Sequence, residues 1–173
     1  MVDTVDTIPT VEPHWYAIRT RSRHEKRVHE QLAGRGVEPF LPLVTRVSRW
    51  KDRRKKIQIP LFSGYCFARF ALPQKLLVLK AVGVVGVVGI NGHAEPLPKE
   101  EIEAIQRLVA GPFRYDPYPF LKEGMWVEVI RGPLMGVKGI LVRKEPRDRL
   151  VLTVNLIRQA ASVEIDTDDV APL

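Results

Sequence analysis

The sequence is short of the residues that build disulfides, metal sites and membrane spans. Its 173 residues include one cysteine, Cys66, so no disulfide can form within the chain. A single thiol is typical of a reducing compartment, and we expect a buried, unreactive Cys66 in a cytoplasmic protein. The four histidines lack the spacing of a zinc site. No apolar run approaches the ~18 residues of a membrane helix, so we expect no membrane contact.

Motifs for catalysis and for nucleotide binding are also missing. The chain has no Gly-x-Ser-x-Gly elbow and no phosphate-binding loop. The glycines of residues 83–90 are three apart, which is not the spacing of a dinucleotide fingerprint. Glu100, Glu101 and Glu103 lie at the start of a predicted helix, where carboxylates complement the helix dipole. We therefore predict a protein that is not an enzyme and holds no cofactor and no metal.

Positive charge is abundant but unevenly distributed. The net charge is +7. Residues 1–13 carry three acids and no base, residues 14–110 carry 18 Lys/Arg against 8 Asp/Glu, and residues 111–173 carry nine of each. A basic first part and a neutral second part indicate different partners for the two.

One aromatic stretch organises the first part. Residues 60–70 predict a strand bounded by Pro60 and Pro73. Because side chains alternate along a strand, Tyr65 and Phe67 share one face while Cys66 and Phe70 share the other. The second face suits packing under helices. The first is either a second core face or an exposed platform for a partner.

The densest charge run lies just before this strand. Residues 46–56 hold seven cations and one acid, with Trp50 among them. Predicted strands flank the run, so we place it on a protruding hairpin. A solvated hairpin and a nucleic-acid contact are both compatible with the run, and its density favours nucleic acid. Upstream, Ser22 and Glu25 have the spacing of a capping box for a helix over residues 23–33.

The pattern of periodicity divides the chain. Residues 1–13 predict a disordered leader, and residues 14–110 a first domain that ends in a helix begun by Pro98. Residues 111–122 hold three prolines without a period and are interpreted as a linker. Residues 123–173 predict four or five short strands, which suit a small barrel.

These motifs resemble those of the NusG family. Trp15 and Tyr16, the basic helix after them and residues 60–67 (PLFSGYCF) are similar to the family's N-terminal domain. Residues 124–129 (GMWVEV), 132–139 (GPLMGVKG) and 163–166 (VEID) look like its KOW domain. Ser63 departs from the family's usual proline. Residues 155–157 (NLI) resemble the specialised RfaH paralogues, which favours an operon-specific antiterminator over a housekeeping factor.

The resemblance implies an α+β N-terminal domain, with an antiparallel sheet flanked by helices, joined by the linker to a small all-β, SH3-like KOW barrel. It implies a transcription elongation factor that resists pausing or termination. In the family an apolar cavity on the N-terminal domain binds the clamp helices of RNA polymerase. On this chain the cavity residues correspond to Phe62, Tyr65 and Phe67, with Arg19 at the rim.

Further partners follow from the same resemblance. Arg21, Arg23 and Arg27 would face the non-template DNA of the transcription bubble. We assign the hairpin to nucleic acid as well, through Arg49, Arg53, Arg54, Lys55 and Lys56. Leu156 and Ile157 would contact a small-subunit ribosomal protein or the termination factor Rho.

We further expect a monomer whose barrel is β in the free protein, makes few contacts with the first domain and exposes Leu156 and Ile157. The alternative function is a ribosome-associated RNA-binding protein, since KOW barrels also occur on ribosomes.

Overall fold

The computed structural model describes residues 11–50, 53–118, 124–144, 147–166 and 169–173. All strand pairings in it are antiparallel, and three α-helices accompany the sheets, so the expected α+β class is confirmed. None of the helices in these ranges is long and apolar enough to cross a membrane. A disordered leader was predicted for residues 1–13, and its residues 1–10 lie outside the described residues.

The first sheet has four strands in the order β2-β5-β1-β6. They are β1 (His14–Thr20), β2 (Glu38–Phe40), β5 (Tyr65–Phe70) and β6 (Val84–Val87). β1 and β5 form its centre and pair from His14 with Phe70 to Arg19 with Tyr65. The aromatic stretch is therefore a central strand.

Side chains alternate along the strands of this sheet, and both of its faces carry buried residues. One face packs on helices α1 (Glu25–Gly34) and α2 (Lys75–Leu79) through a cluster that includes Cys66, Ala68 and Phe70. The opposite face presents Phe67 to a separate cluster. The division of β5 into two faces is confirmed.

The basic run forms a hairpin of its own. Strands β3 (Leu43–Trp50) and β4 (Arg53–Pro60) pair along their whole length, from Leu43 with Pro60 to Trp50 with Arg53. β4 is exposed over its first six residues. A second, short hairpin follows the first sheet. Its two strands, β7 (Gly89–Ile90) and β8 (His93–Ala94), have two residues each.

The second sheet has six strands in the order β14-β10-β11-β12-β13-β9. They are β9 (Tyr115–Tyr118), β10 (Met125–Val129), β11 (Lys138–Lys144), β12 (Arg147–Val154), β13 (Gln159–Glu164) and β14 (Val170–Pro172). Its buried side chains include Val127, Val129, Leu150 and Leu152. This sheet occupies the region predicted to be all-β.

Helix α3 (Lys99–Ala110) lies between the two sheets and contacts β1 and β12. Ile102, Ile105 and Leu108 recur at helical spacing and are completely buried. Burial of each of these side chains contributes about 1.5–3 kcal/mol. The helix thus shares one core with both sheets.

The structure corrects three local predictions. Strand β5 begins at Tyr65, not at Pro60, because residues 61–64 form a turn. Part of the predicted linker forms strand β9, which pairs with β13. The capping box does not form, since α1 starts at Glu25 without a side-chain cap. Arg23 has a φ of 62°, and this left-handed turn takes Ser22 away from the helix start.

Candidate functional site: an aromatic face and a basic hairpin

The turn before β5 sets the position of the aromatic residues. Gly64 has a φ of 83°, a left-handed conformation that favours glycine. The backbone N–H of Gly64 donates to the Glu25 carboxylate at 2.9 Å. Glu25 is buried at the first turn of α1, so this contact fixes the turn to the helix. The sequence suggested a capping role for Glu25; its actual role is to hold the turn that carries Phe62.

The aromatic rings form a connected group. Phe62 meets Phe67 edge-on at a centroid distance of 6.1 Å, and Phe40 stacks on Phe67 at 6.0 Å. Trp15 continues the group through an edge contact with Phe40 at 6.3 Å. Such pairs add about 0.5–1.5 kcal/mol to the burial of the rings. Phe40 and Trp15 were not among the predicted site residues, although both are aromatic strand residues.

The predicted polymerase-binding residues differ in exposure. Phe62 and Phe67 are completely or almost completely buried. Tyr65 is half-buried and packs against the same cluster. Arg19 is exposed and lies directly opposite Tyr65 on the neighbouring strand. Tyr65, Phe67 and Arg19 therefore occupy one face of the first sheet, with Tyr65 and Arg19 at its accessible end. Phe62 packs on this face from the turn before β5.

This aromatic face is covered in the structure. One continuous cluster of buried side chains joins the aromatic rings, helix α3 and the second sheet. The Tyr115 hydroxyl, at the start of β9, donates to the Leu43 carbonyl at the base of the basic hairpin. Burial raises the pKa of Tyr115 above its ordinary value of 10.0, so its hydroxyl stays a donor well into the alkaline range.

Polar contacts secure the second sheet to helix α3. The Arg107 guanidinium donates to the carbonyls of Pro133 and Met135, each at 2.7 Å. The Asn155 amide donates to Glu101 Oε1 at 2.8 Å. Glu101 Oε2 is buried and finds no hydrogen-bond partner within the described part of the chain. Burial therefore raises the pKa of Glu101 more than the Asn155 hydrogen bonds lower it.

These contacts contradict two expectations about the second domain. We expected few contacts between the domains, but the second sheet shares a core with α3. We expected Leu156 and Ile157 on an exposed strand. They lie instead on a 3-10 turn (Asn155–Ile157), with Leu156 half-buried and Ile157 buried. The local reason is Arg158, whose left-handed backbone ends the turn and reverses the chain into β13.

The predicted nucleic-acid residues lie on two neighbouring surfaces. Arg53, Arg54, Lys55 and Lys56 are exposed on β4, and Arg49 pairs with Arg54 in the backbone register. The side chain of Arg49 and residues 51–52 lie outside the described residues. Arg21, Arg23 and Arg27 are exposed around the start of α1. The ammonium of Lys26 donates to the Gln58 carbonyl at 2.6 Å and links this helix to β4.

A groove between these two surfaces reaches the second sheet. Its volume is about 660 Å³, and its walls include Arg23, Lys26 and Arg46. Pro117 and Gln159 of strands β9 and β13 line the other side. The fold thus brings the helix cations and the hairpin base together, which the sequence could not place relative to each other.

The single cysteine of the chain is inaccessible. Cys66 is completely buried, and burial raises the pKa of its thiol to about 12. Among the described residues, no three His, Cys, Asp or Glu side chains are grouped as a metal site would need.

Comparisons with known proteins agree with one another. The family described as "Transcription termination factor nusG" matches residues 13–106, more than half of the chain. The NusG of Streptococcus pyogenes serotype M3 is 26% identical over 174 residues, covering 92% of this chain and 96% of that protein. The NusG of Deinococcus radiodurans is 26% identical over 189 residues, covering 91% and 97%. Both are described as transcription termination/antitermination proteins.

A solved structure has the same fold. It is that of Thermotoga maritima NusG, described as showing a domain interaction, with a TM-score of 0.59 and 21% identity. It covers 94% of this chain and 98% of that one. With the match over residues 13–106, these findings show that the chain belongs to the NusG family of transcription termination and antitermination factors.

Proposed function

We propose that the chain is a transcription elongation factor that binds the clamp helices of RNA polymerase and acts as an antiterminator. The observation that carries this proposal is the aromatic face of Phe62, Tyr65 and Phe67 beside the exposed Arg19. Rigid aromatic side chains bury a large area at low cost in side-chain entropy, and with arginine they dominate protein interfaces. Phe62 and Phe67 are buried within the chain, and they could bind a partner protein in the same way once the second sheet has left them.

The covered face requires an opening step. In the closed arrangement only Tyr65 and Arg19 are accessible, and helix α3 and the second sheet complete the core. The second sheet is held on α3 by hydrogen bonds whose residues lie at its rim. A partner that binds the face would therefore compete with the docked sheet. The domain interaction described for the T. maritima relative is compatible with such a closed state.

The basic surfaces would hold the transcription bubble. Arg46 of the hairpin and Arg23 and Lys26 at the start of α1 line one groove, and the cations of β4 are exposed on the same hairpin. Exposed lysine and arginine side chains bind phosphates independently of sequence, so the contacts would be to phosphates, without base readout. The non-template DNA is single-stranded in the bubble and would lie along this groove.

The second sheet would act as a KOW domain that recruits a partner, either a small-subunit ribosomal protein or Rho. The candidate contact is the turn with Leu156 and Ile157. Because the neighbouring Asn155 bonds to Glu101 of α3, release of the sheet would also free this turn. Recruitment would then follow polymerase binding, as suits a factor restricted to particular operons.

Co-sedimentation with purified core polymerase and with ribosomes tests the proposal. We expect the full chain to bind core polymerase and expect Tyr65→Ala to weaken that binding. Exposed Glu30→Ala on α1 is the matched control. Binding to ribosomes alone would instead support the RNA-binding alternative.

A further inference from the structure

A second surface of the first sheet carries exposed apolar side chains that the proposed function does not use. They lie on the 3-10 turn before α2 (Leu72–Gln74), on α2, on the turn after it and on β6, and we call them the α2–β6 patch. Leu76 is 69% exposed, Val85 58% and Val82 50%. Isolated exposed apolar residues are ordinary, but so many within fourteen positions indicate an interaction surface. The remaining members are Leu72, Leu77 and Leu79.

The patch is held rigidly by helix α1. The Gln31 side chain both accepts from the Val82 N–H and donates to the Val82 carbonyl, each at 2.9 Å. The Arg35 guanidinium donates to the carbonyls of Leu77 and Lys80 at the end of α2. A surface fixed in this way loses little conformational entropy when a partner binds.

The charge around the patch has one sign. Residues 71–94 contain Lys75 and Lys80 and no acidic residue. Lys80 is exposed and Lys75 partly exposed, and neither forms an ion pair with any acid in the described ranges. Arg35 adds a third cation at the edge. Such a rim repels a second copy of the same surface and attracts carboxylates.

The edge of β6 argues for a helical partner over an added strand. β6 ends the sheet, so one of its sides is unpaired within the described chain. Its register against β1 passes from Gly86 to Val84, which leaves Val85 as a bulge. Bulges and short edge strands disfavour the addition of another strand. The apolar side chains of α2 and of Val82 and Val85 therefore offer the contact, not the backbone.

We propose that the α2–β6 patch binds an amphipathic helix whose apolar face is flanked by carboxylates. This helix belongs to a partner protein. α2 packs on the face of the first sheet opposite to the aromatic rings. The patch can therefore be occupied while the aromatic face binds another partner, and it does not depend on the opening of the second sheet.

The test uses the full chain labelled with ¹⁵N and two synthetic amphipathic helical peptides. Both carry leucine on one face; one is flanked by glutamate and the other by lysine. We expect the glutamate peptide to shift the amide signals of α2 and β6 and to bind about tenfold more tightly than the lysine peptide, as two exposed ion pairs allow. In the Lys75→Glu, Lys80→Glu variant we expect this preference to reverse.

A second variant separates the alternatives. Leu76→Ser removes the most exposed apolar side chain and, being on the surface, leaves the fold intact; we expect it to abolish peptide binding. Equal binding of both peptides, or shifts away from α2 and β6, would overturn the proposal. So would a concentration-dependent dimer that Leu76→Ser dissociates, or binding to phosphatidylserine vesicles without binding of the glutamate peptide.

Discussion

The hydrogen bonds between helix α3 and the second sheet can be removed without touching the core that the two share. Arg107 makes two hydrogen bonds to backbone carbonyls and Asn155 makes one to Glu101. Such a bond contributes about 0.5–1.5 kcal/mol; exposure lowers this value and the charge of Arg107 and Glu101 raises it, which gives about 1 kcal/mol for each of the three bonds. The variant Arg107→Ala, Asn155→Ala should weaken docking by about 3 kcal/mol. That is a shift of roughly 100-fold towards the open arrangement.

Paramagnetic broadening measures this equilibrium. A nitroxide on Ala110→Cys, at the end of α3, broadens amide signals of the docked second sheet. Labelling is selective because Cys66 is buried and its pKa is about 12. We expect the broadening around Leu134 to decrease in the double variant, because the open fraction rises while the shared apolar core stays intact.

The matched control is Lys99→Ala, which removes only an exposed ion pair with Glu103 on the same helix. It should keep the broadening of the wild type. Unchanged broadening in the double variant would refute the assignment of these hydrogen bonds as the contacts that hold the sheet. If the closed state competes with polymerase, the same double variant should also bind polymerase more tightly, because the competent fraction rises.

Three further predictions follow from the site. Tyr65→Ala should weaken polymerase binding by about 2 kcal/mol or more while the protein stays folded. Phe67→Ala should instead lower the free energy of unfolding by about 3–5 kcal/mol. Equal effects of the two variants on thermal unfolding would contradict this distinction. Neutralising the hairpin cations should reduce the slope of log binding constant against log salt concentration, for binding to a transcription bubble, by about one unit per lost phosphate contact. An unchanged slope would indicate that the hairpin is solvated and does not contact nucleic acid. The raised pKa of Glu101 favours its protonated form in the docked state, so its contribution to docking is complete below its ordinary value of 4.5 and is lost as the pH rises through the raised pKa. Glu101→Gln should therefore remove the pH dependence of the nitroxide broadening in that window, and a profile like that of the wild type would show that another group titrates.

The sequence predicted well where the signal is local. Alternation alone placed Tyr65 and Phe67 on one face of β5 and Cys66 and Phe70 on the other, and the two clusters agree. Helix α3 was equally clear, because its apolar residues repeat at 3.6-residue spacing and a Gly-Pro pair ends it. Strand β9 was hidden by its proline. Pro117 is tolerated there because β9 is the edge strand of its sheet.

The covering of the aromatic face could not be predicted from the sequence. The hydrogen bonds that secure the second sheet join positions 26, 28 and 54 residues apart. No periodicity relates Arg107 to the Pro133 carbonyl, since a backbone acceptor leaves no trace in residue type. Glu25 likewise had a local explanation as a capping residue, and only the fold brings the Gly64 amide to it.

Site-specific photo-crosslinking tests the central claim, that the aromatic face binds RNA polymerase, most directly. Benzoylphenylalanine in place of Tyr65 puts the reactive group at the accessible end of the face, and the same group in place of Glu30 on α1 is the control. With core polymerase we expect position 65 to crosslink to the clamp helices and position 30 to give no clamp crosslink. Binding of polymerase by the labelled chain without a crosslink from position 65 would contradict the account.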